Sequence, residues 1–378
     1  MPAFANGTYS LKEYHNALNI KTGEEILNSR NKSSRPRSVE DYSKEIEHNG
    51  YVRNQLAEKL VALYTKDVGD ILKEVYAAQK QASSDLTDKF REMYLTENGT
   101  SDQALHGTDC DKQDLVEAYE YLRDISKPQL KCYPGTPEWK KWQNAIEIIN
   151  LKKTILLCVD LEAFERDTNI VTEIGITIYD PRENFDHSVL PLTRSFHFCI
   201  EEAYDLRNGR FVDDAKDNFL FDDSKILPLD DVVTSVQSLI NKYLIPHNEA
   251  EHTWKRALVG HGVSGDISWL ESLNIKLPKN VQILDTLKLY ECMYGKQSSL
   301  KRMLSMCKIP FAYLHNAGND SYFTLQLLLS LCDIGTRIKL HLDDWYYVKR
   351  LDEKLYQKEQ AEKQKVYKKK GNKKGARS

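Results

Sequence analysis

No stretch of this sequence approaches the roughly 18 apolar residues of a membrane-spanning helix. The opening residues, MPAFANGTYSLKEYHNALNI, also lack the basic start and apolar run of a secretory signal. Both absences point to a soluble protein inside the cell, cytoplasmic, nuclear or both, with no membrane partner. Paired cysteines are missing too. The seven cysteines are odd in number and none stands in a CxxC pair, which argues against a disulfide framework or a zinc knuckle and suits a reducing compartment. Neither charge dominates: 53 basic side chains nearly offset 56 acidic ones, leaving a formal net charge of −3, so composition names no partner. No internal repeat divides the 378 residues, a length suited to two domains or one large domain with extensions.

What is present changes character along the chain. Residues 1–48 are polar and run through Ser33-Ser34-Arg35-Pro36-Arg37-Ser38, the composition of a flexible arm. Residues 49–150 read as a helical region. Leu56, Leu60, Leu63, Tyr64, Ile71, Leu72, Val75 and Tyr76 recur at helical spacing, as one long helix or two joined near Gly69. Residues 96–113 read as a loop, Leu115, Tyr119 and Leu122 mark a shorter helix ended by Pro128, and Pro137 opens another that carries Trp139, Trp142, Ile146 and Ile149. Nothing in this third has catalytic spacing, and it is expected to be a packing module.

Residues 151–340 read as an α/β domain. Thr154–Asp160 and Thr172–Tyr179 are strands, the second with Ile174, Ile176 and Ile178 alternating against Glu173, Gly175 and Thr177, and Phe196, Phe198 and Ile200 mark a third. Residues 181–191 are expected to protrude as a loop, and residues 201–228 are aromatic and acidic without a clear period. A helix through Val232 to Tyr243, a fourth strand at 257–261, a short helix at 266–273, a fifth strand at 281–284 and helices at 300–307 and 318–331 complete the domain. The expected architecture is a five-stranded mixed sheet, a three-strand meander plus parallel strands, flanked by helices. Residues 341–378 form a charged tail whose end, QKVYKKKGNKKGARS, is basic without an acidic residue. Such a run is a solvated tail, an attractor of phosphate backbones or a nuclear address.

Chemistry concentrates on Asp160 and Glu162 at the end of Leu156-Leu-Cys-Val-Asp160-Leu-Glu162. The strand period of two puts both carboxylates on one face, and neighbouring carboxylates either share a proton or bind a cation. Divalent metal is the expectation here. Asp266 opens a helix just after the fourth strand, and Asp320 opens the last long helix, five residues after His315. Either aspartate alone is explained as a helix cap, and His315 alone as a structural histidine. Were the fourth strand parallel to the first, Asp266 would arrive at the Asp160 end, where open α/β sheets bind ligands.

Asp160-x-Glu162, Asp266 after Val259-Gly-His-Gly, and His315-x4-Asp320 resemble the three signature segments of DEDDh-type 3′–5′ exonucleases on the RNase H-like fold, over about residues 150–335. Ile283-Leu-Asp285-Thr286 and Ser299-Leu300 are similar to the segments between the second and third signatures. LHNAGNDSYFTLQLLL from Leu314 resembles a fungal branch of that superfamily, related to a yeast factor linked to a DEAD-box helicase in mRNA export and to an RNA-interference exonuclease. Three departures stand out. Glu162 is followed by Ala-Phe-Glu165 in place of Thr-x-Gly, Gly262 and Gly265 stand where many members have Asn and Phe, and the insertion 201–223 exceeds a minimal exonuclease.

The resemblance implies two Mg²⁺ or Mn²⁺ ions, with Asp160 bridging both, Glu162 and Asp320 completing one, Asp266 holding the other mainly through water, and His315 as general base. It implies single-stranded RNA or DNA as substrate. Phe164 and Trp269 are the candidates for an aromatic shelf under the bases, with His261 as a further substrate contact. Two rival expectations are a nucleic-acid or ribonucleoprotein adaptor that keeps the nuclease fold, possible in mRNA export, and an endonuclease acting on structured nucleic acid. Oligomeric state is not specified by any of these features.

Overall fold

The computed structural model describes residues 39–98, 130–183 and 192–375. The expected arm up to residue 38, residues 99–113 of the expected loop 96–113, the helix around Leu115–Leu122 with its Pro128 end, and most of the loop at 181–191 lie outside those residues, while residues 96–98 of that loop are helical. The described chain begins with helix α1 (Val39–Asn98), continuous through Gly69, so that residues 39–48, expected in the arm, are helical. Helix α2 (Pro137–Leu151) starts as its sequence dictates: Pro137 occupies the first turn and the Thr136 hydroxyl accepts the Trp139 N–H.

Strands β1 (Thr154–Phe164), β2 (Asp167–Tyr179) and β3 (Thr193–Ile200) form the antiparallel meander. After it come β4 (Lys225–Leu227), α3 (Leu229–Leu244), β5 (Lys255–Gly260), α4 (Ser264–Ser272), β6 (Gln282–Asp285), α5 (Thr286–Tyr294), α6 (Leu300–Met306), α7 (Ala317–Cys332), α8 (Ile334–Leu340) and α9 (Trp345–Gly375). The sheet order is β4-β3-β2-β1-β5-β6, with β5 parallel to β1, β6 parallel to β5, and β4 parallel to β3. The α/β architecture is the expected one, but with six strands in place of five. The added strand is a three-residue edge piece inside the stretch without a period, too short to show an alternation.

Two further elements differ from expectation. Helix α5 has six of its nine residues buried, Thr286, Leu289, Tyr290, Cys292, Met293 and Tyr294, and its polar face is only the Lys288–Glu291 pair, too narrow to mark a helical period. Helix α9 continues through the stretch expected as a tail. Among its described side chains, Trp345, Val348 and Asp352 are buried, and Leu351 and Leu355 pack against the same core. No helix of the described residues is long and apolar enough to cross a membrane.

Alternation along β1 divides the apolar interior in two. Ile155, Leu157, Val159 and Leu161 face a core shared with Ile174, Ile176, Ile178 and the α3 residues Val232, Val236 and Ile240. Leu156 and Cys158 face the opposite core, with Trp142 and Ile146 of α2, Met303 and Leu304 of α6, and Leu325 and Leu328 of α7. Helix α1 adds Tyr64, Val68 and Leu72 to that second core. A buried polar knot locks it there. Tyr64 donates to Asp343 Oδ2 at 2.6 Å, and Arg337, 2% exposed, donates to the Tyr64 oxygen at 2.7 Å and to Asp343 Oδ1 at 2.6 Å.

Candidate active site

The period of two that sends Leu156 and Cys158 toward α7 carries on to Asp160 and Glu162, so both carboxylates open on the α7 face. Strand β1 does not stop at them. It runs on to Phe164, with its register to β2 shifting on both sides of Ala163, just past Glu162. Its parallel pairing with β5 ends at Cys158↔Val259, and beyond that point the β5 chain turns away through Gly260–Val263 into α4. The divergence leaves Asp160 just past the last paired residues, at the carboxyl ends of the parallel strands, where open α/β sheets bind ligands.

Asp266, in the first turn of α4, closes that side. Its Oδ1 accepts the Leu161 N–H at 2.9 Å, which ties α4 to the backbone between the two acids of β1. From the other side comes α7. The Asn316 side chain caps it by accepting the Asn319 N–H, and Asp320 in its first turn accepts the His315 N–H at 2.9 Å. His315 has φ +69°, a left-handed conformation held by that bond. Its imidazole Nδ1 lies 3.7 Å from Glu162 Oε1, and Glu162, His315 and Asp320 each offer a ligand atom within 4.8 Å of the others.

The electrostatics are those of crowded like charges. Removal from water, then the charges of Asp320, Asp266, Glu162 and Glu173, push the Asp160 carboxyl well above the usual range. Burial drives Asp266 up to about 7 despite the Leu161 N–H, with Glu162 and Asp285 adding to the rise. Asp320 also reaches about 7, again chiefly through burial, with the His315 N–H opposing and Glu162 and Glu173 assisting. His315 is raised by the Glu162 carboxylate beside it against the effect of burial, with Asp320 and Asp213 contributing. Among the described residues, Asp320 Oδ1 is a buried oxygen without a hydrogen-bond partner. An acceptor left bare among other acids is suited to a cation.

The three remaining sequence candidates have definite places. Trp269 packs against the α3-side core and donates its indole N–H to Thr168 O at 2.9 Å, pinning the β1–β2 hairpin. Phe164 is half-buried at the hairpin end of β1. His261 is half-buried with Nδ1 2.9 Å from the Thr286 hydroxyl, and burial takes its pKa down to about 4.

Glu173 was not singled out from the sequence, and the structure puts it beside the site. It pairs with Glu162 across the β1–β2 ladder, is 2% exposed, and its Oε2 lies 2.9 Å from His197 Nε2 and accepts the Ala317 N–H at 3.4 Å. His197 Nδ1 in turn meets the Ser224 hydroxyl at 2.8 Å. The signal was there in the alternation of Glu173, Gly175 and Thr177 against three isoleucines. That polar row resembles a solvent face, but α7 covers it: Thr177 bonds to Ser321 at 2.9 Å, and Gly175, the cross-strand partner of Asp160, lies directly under Ala317.

Residues 155–331 match the family described as DNA polymerase III subunit epsilon-like, C-terminal domain, of DEDDh type. The chain is 40% identical over 301 residues to "Uncharacterized protein YDR514C" of Saccharomyces cerevisiae, covering 71% of this chain and 61% of that protein. It is 40% identical over 251 residues to "Good for full DBP5 activity protein 2" of the same yeast, covering 61% of this chain and 44% of that one. To "Uncharacterized nucleolar protein C2C4.08" of Schizosaccharomyces pombe it is 36% identical over 195 residues, covering 49% of this chain and 71% of that protein. The chain thus matches less than two thirds of either budding-yeast relative. Solved structures similar to it are an exonuclease I, at TM-score 0.34, 13% identity and coverage of 49% of this chain and 42% of that one, and the RNase domain of yeast Pop2, at 0.29, 13%, 51% and 81%. Both likenesses are loose.

Proposed function

Because the chain belongs to this DEDDh, DNA polymerase III epsilon-like family, we infer that it is a divalent-metal-dependent 3′–5′ exonuclease acting on single-stranded RNA or DNA. The observation that carries this reading is the convergence of Asp160 and Glu162 from β1, Asp266 from α4, His315 from just before the α7 cap and Asp320 from the first turn of α7, with Asp320 Oδ1 buried and unpartnered among the described residues.

The donors fit Mg²⁺ or Mn²⁺, since they are hard carboxylate oxygens that repel one another until a cation joins them. Asp160, Glu162, Asp266 and Asp320 would hold two ions. When bound, such ions neutralise the phosphodiester, acidify water and stabilise the leaving oxygen. The protein supplies the rest. His315, half exposed at 50% with Nδ1 3.7 Å from Glu162, would take the proton from an attacking water. The Asp320 carboxylate fixes the His315 backbone, and the Leu161 N–H holds Asp266.

Incubation with 5′-labelled oligonucleotides and Mg²⁺ or Mn²⁺ tests this reading. A ladder shortened one nucleotide at a time, lost in Asp160→Ala, is expected. Internal cutting would point instead to an endonuclease, and cleavage unchanged by the substitution would overturn the assignment of the site.

A second reading, an adaptor role, is supported by α1, where Leu63 and Ile71 stay 36% and 37% exposed, and by the relative named for DBP5 activity. The partner would be a DBP5-type protein. The relative named as nucleolar supports a nuclear setting. Binding of purified DBP5 that is abolished by Leu63→Glu with Ile71→Glu is the expected outcome, and no binding by the unaltered chain would end this reading.

A further inference from the structure

Between β3 and β4 the chain makes the excursion 201–223, whose polar groups are spent on holding one shape. Glu165, just past β1, accepts the consecutive backbone N–H groups of Gly209, Arg210, Phe211 and Val212 at 3.3, 3.0, 2.8 and 3.2 Å. Asn208 accepts the Glu165 N–H at 2.9 Å and donates to Ala163 O at 3.1 Å. Lys216, 3% exposed, turns its ammonium inward onto the carbonyls of Ala203, Tyr204 and Leu206.

The far side of the excursion is bound to the start of α7. Asn316 donates to Ala215 O and Lys216 O at 3.2 and 3.0 Å, and Asn319 donates to Asn218 O at 2.9 Å while accepting the Leu220 N–H at 3.0 Å. The excursion therefore bridges the β1 segment just past Glu162 and the α7 cap next to His315. It is a wall of the candidate site, clamped at both ends.

On this wall stands Phe211, 72% exposed, with the Arg210 guanidinium 5.0 Å from its ring centroid. A lone exposed phenylalanine requires no function. Here four consecutive backbone N–H groups are fixed on one carboxylate, and the result is an aromatic plane and a cation held out in solvent beside a cluster of acids. An exposed aromatic on a fixed backbone, paired with a guanidinium, is the chemistry that stacks nucleobases. The cation also offsets the repulsion that the acids exert on an anionic strand. Trp269, with its N–H spent on Thr168 and its ring against the core, and half-buried Phe164 offer less free surface for that role.

We propose that Phe211 and Arg210 form the shelf on which a base of an incoming single-stranded nucleic acid, upstream of the nucleotide being removed, stacks. This rests on the nuclease reading of the adjacent site. Stacking of this kind tolerates any sequence, because every base has a π-face.

The test uses the full chain with Phe211→Ala and Phe211→Trp. Binding of a labelled single-stranded oligonucleotide is measured by anisotropy in Ca²⁺, and turnover in Mn²⁺ is measured both on that oligonucleotide and on the p-nitrophenyl ester of thymidine 5′-monophosphate. The ester has no upstream base. Phe211→Ala is expected to weaken oligonucleotide binding about tenfold, to raise KM correspondingly and to leave turnover of the ester unchanged, and Phe211→Trp is expected to restore binding. Equal oligonucleotide affinity in Phe211→Ala and wild type, or no affinity in wild type, overturns the shelf. Binding that depends on Phe211 without cleavage of either substrate keeps the shelf and discards the nuclease reading.

Discussion

Gly175 of β2 lies so close beneath Ala317, the first residue of α7, that a methyl group on it would overlap the Ala317 carbonyl. Gly175 is also the ladder partner of Asp160. The missing side chain therefore lets the capped end of α7 settle onto the sheet opposite the β1 acids, and Asp320 and His315 take their places from that contact.

Gly175→Ala is accordingly expected to lift the start of α7. Overpacking of this kind costs about 1–3 kcal/mol, and a displacement of about 1 Å at a catalytic group costs about 10²-fold in rate. Thermal unfolding and kcat on an oligonucleotide measure the two effects. A variant with normal kcat would show that the close approach is not what positions Asp320.

Asp320→Asn separates charge from shape. The amide oxygen can still accept the His315 N–H, while one of the mutually repelling charges is gone. The metal-free variant should be at least as stable as wild type, gaining on the order of 1 kcal/mol. Its cleavage rate should fall about 10³-fold or more, with no stabilisation by Mn²⁺. Calorimetric unfolding with and without Mn²⁺, alongside an activity assay, reads each part.

The acids also set a pH dependence. Asp266 and Asp320 have folded pKa values of about 7, above the unfolded carboxylate value of about 3.9, so the folded state binds more protons between those limits. Their contribution to stability is full below the unfolded value and is lost as pH rises through about 7. With chelator present, this contribution should decline from pH 4 to pH 7, set against whatever other groups add. Added Mn²⁺ competes with those protons, so the melting-temperature gain from Mn²⁺ should be larger at pH 8 than at pH 5.5. An equal gain at both would contradict the raised pKa values.

Tyr64→Phe addresses the scaffold alone. It removes the hydroxyl that accepts from Arg337 of α8 and donates to Asp343, none of which belongs to the carboxylate cluster. Loss of a buried partner costs about 1–3 kcal/mol, so the melting temperature should drop while kcat and KM stay at wild-type values. A fall in kcat would mean that α1 helps shape the site.

Much of the site was legible because its parts are local. Asp160 and Glu162 share a face by strand period, Asp320 follows His315 at a fixed spacing within one helix start, and Asp266 opens the helix after β5. Glu173 was not legible, since an alternating polar row has the same pattern whether water or a helix lies against it. Nor was the role of Glu165, whose four backbone donors come from residues 209–212, more than forty positions along.

The sequence by itself determined most of the elements, β4, α5 and the length of α9 excepted, their order and the face of β1 that carries the acids, because backbone periodicity and capping act over a few residues. Only the tertiary structure decided that β5 pairs parallel with β1 and then diverges, that α7 rests on Gly175, and that the excursion 201–223 is clamped beside the candidate site with Phe211 exposed. Those relations join segments distant in the chain. They depend on which surfaces fit closely enough to exclude water, and residue spacing carries no record of that fit.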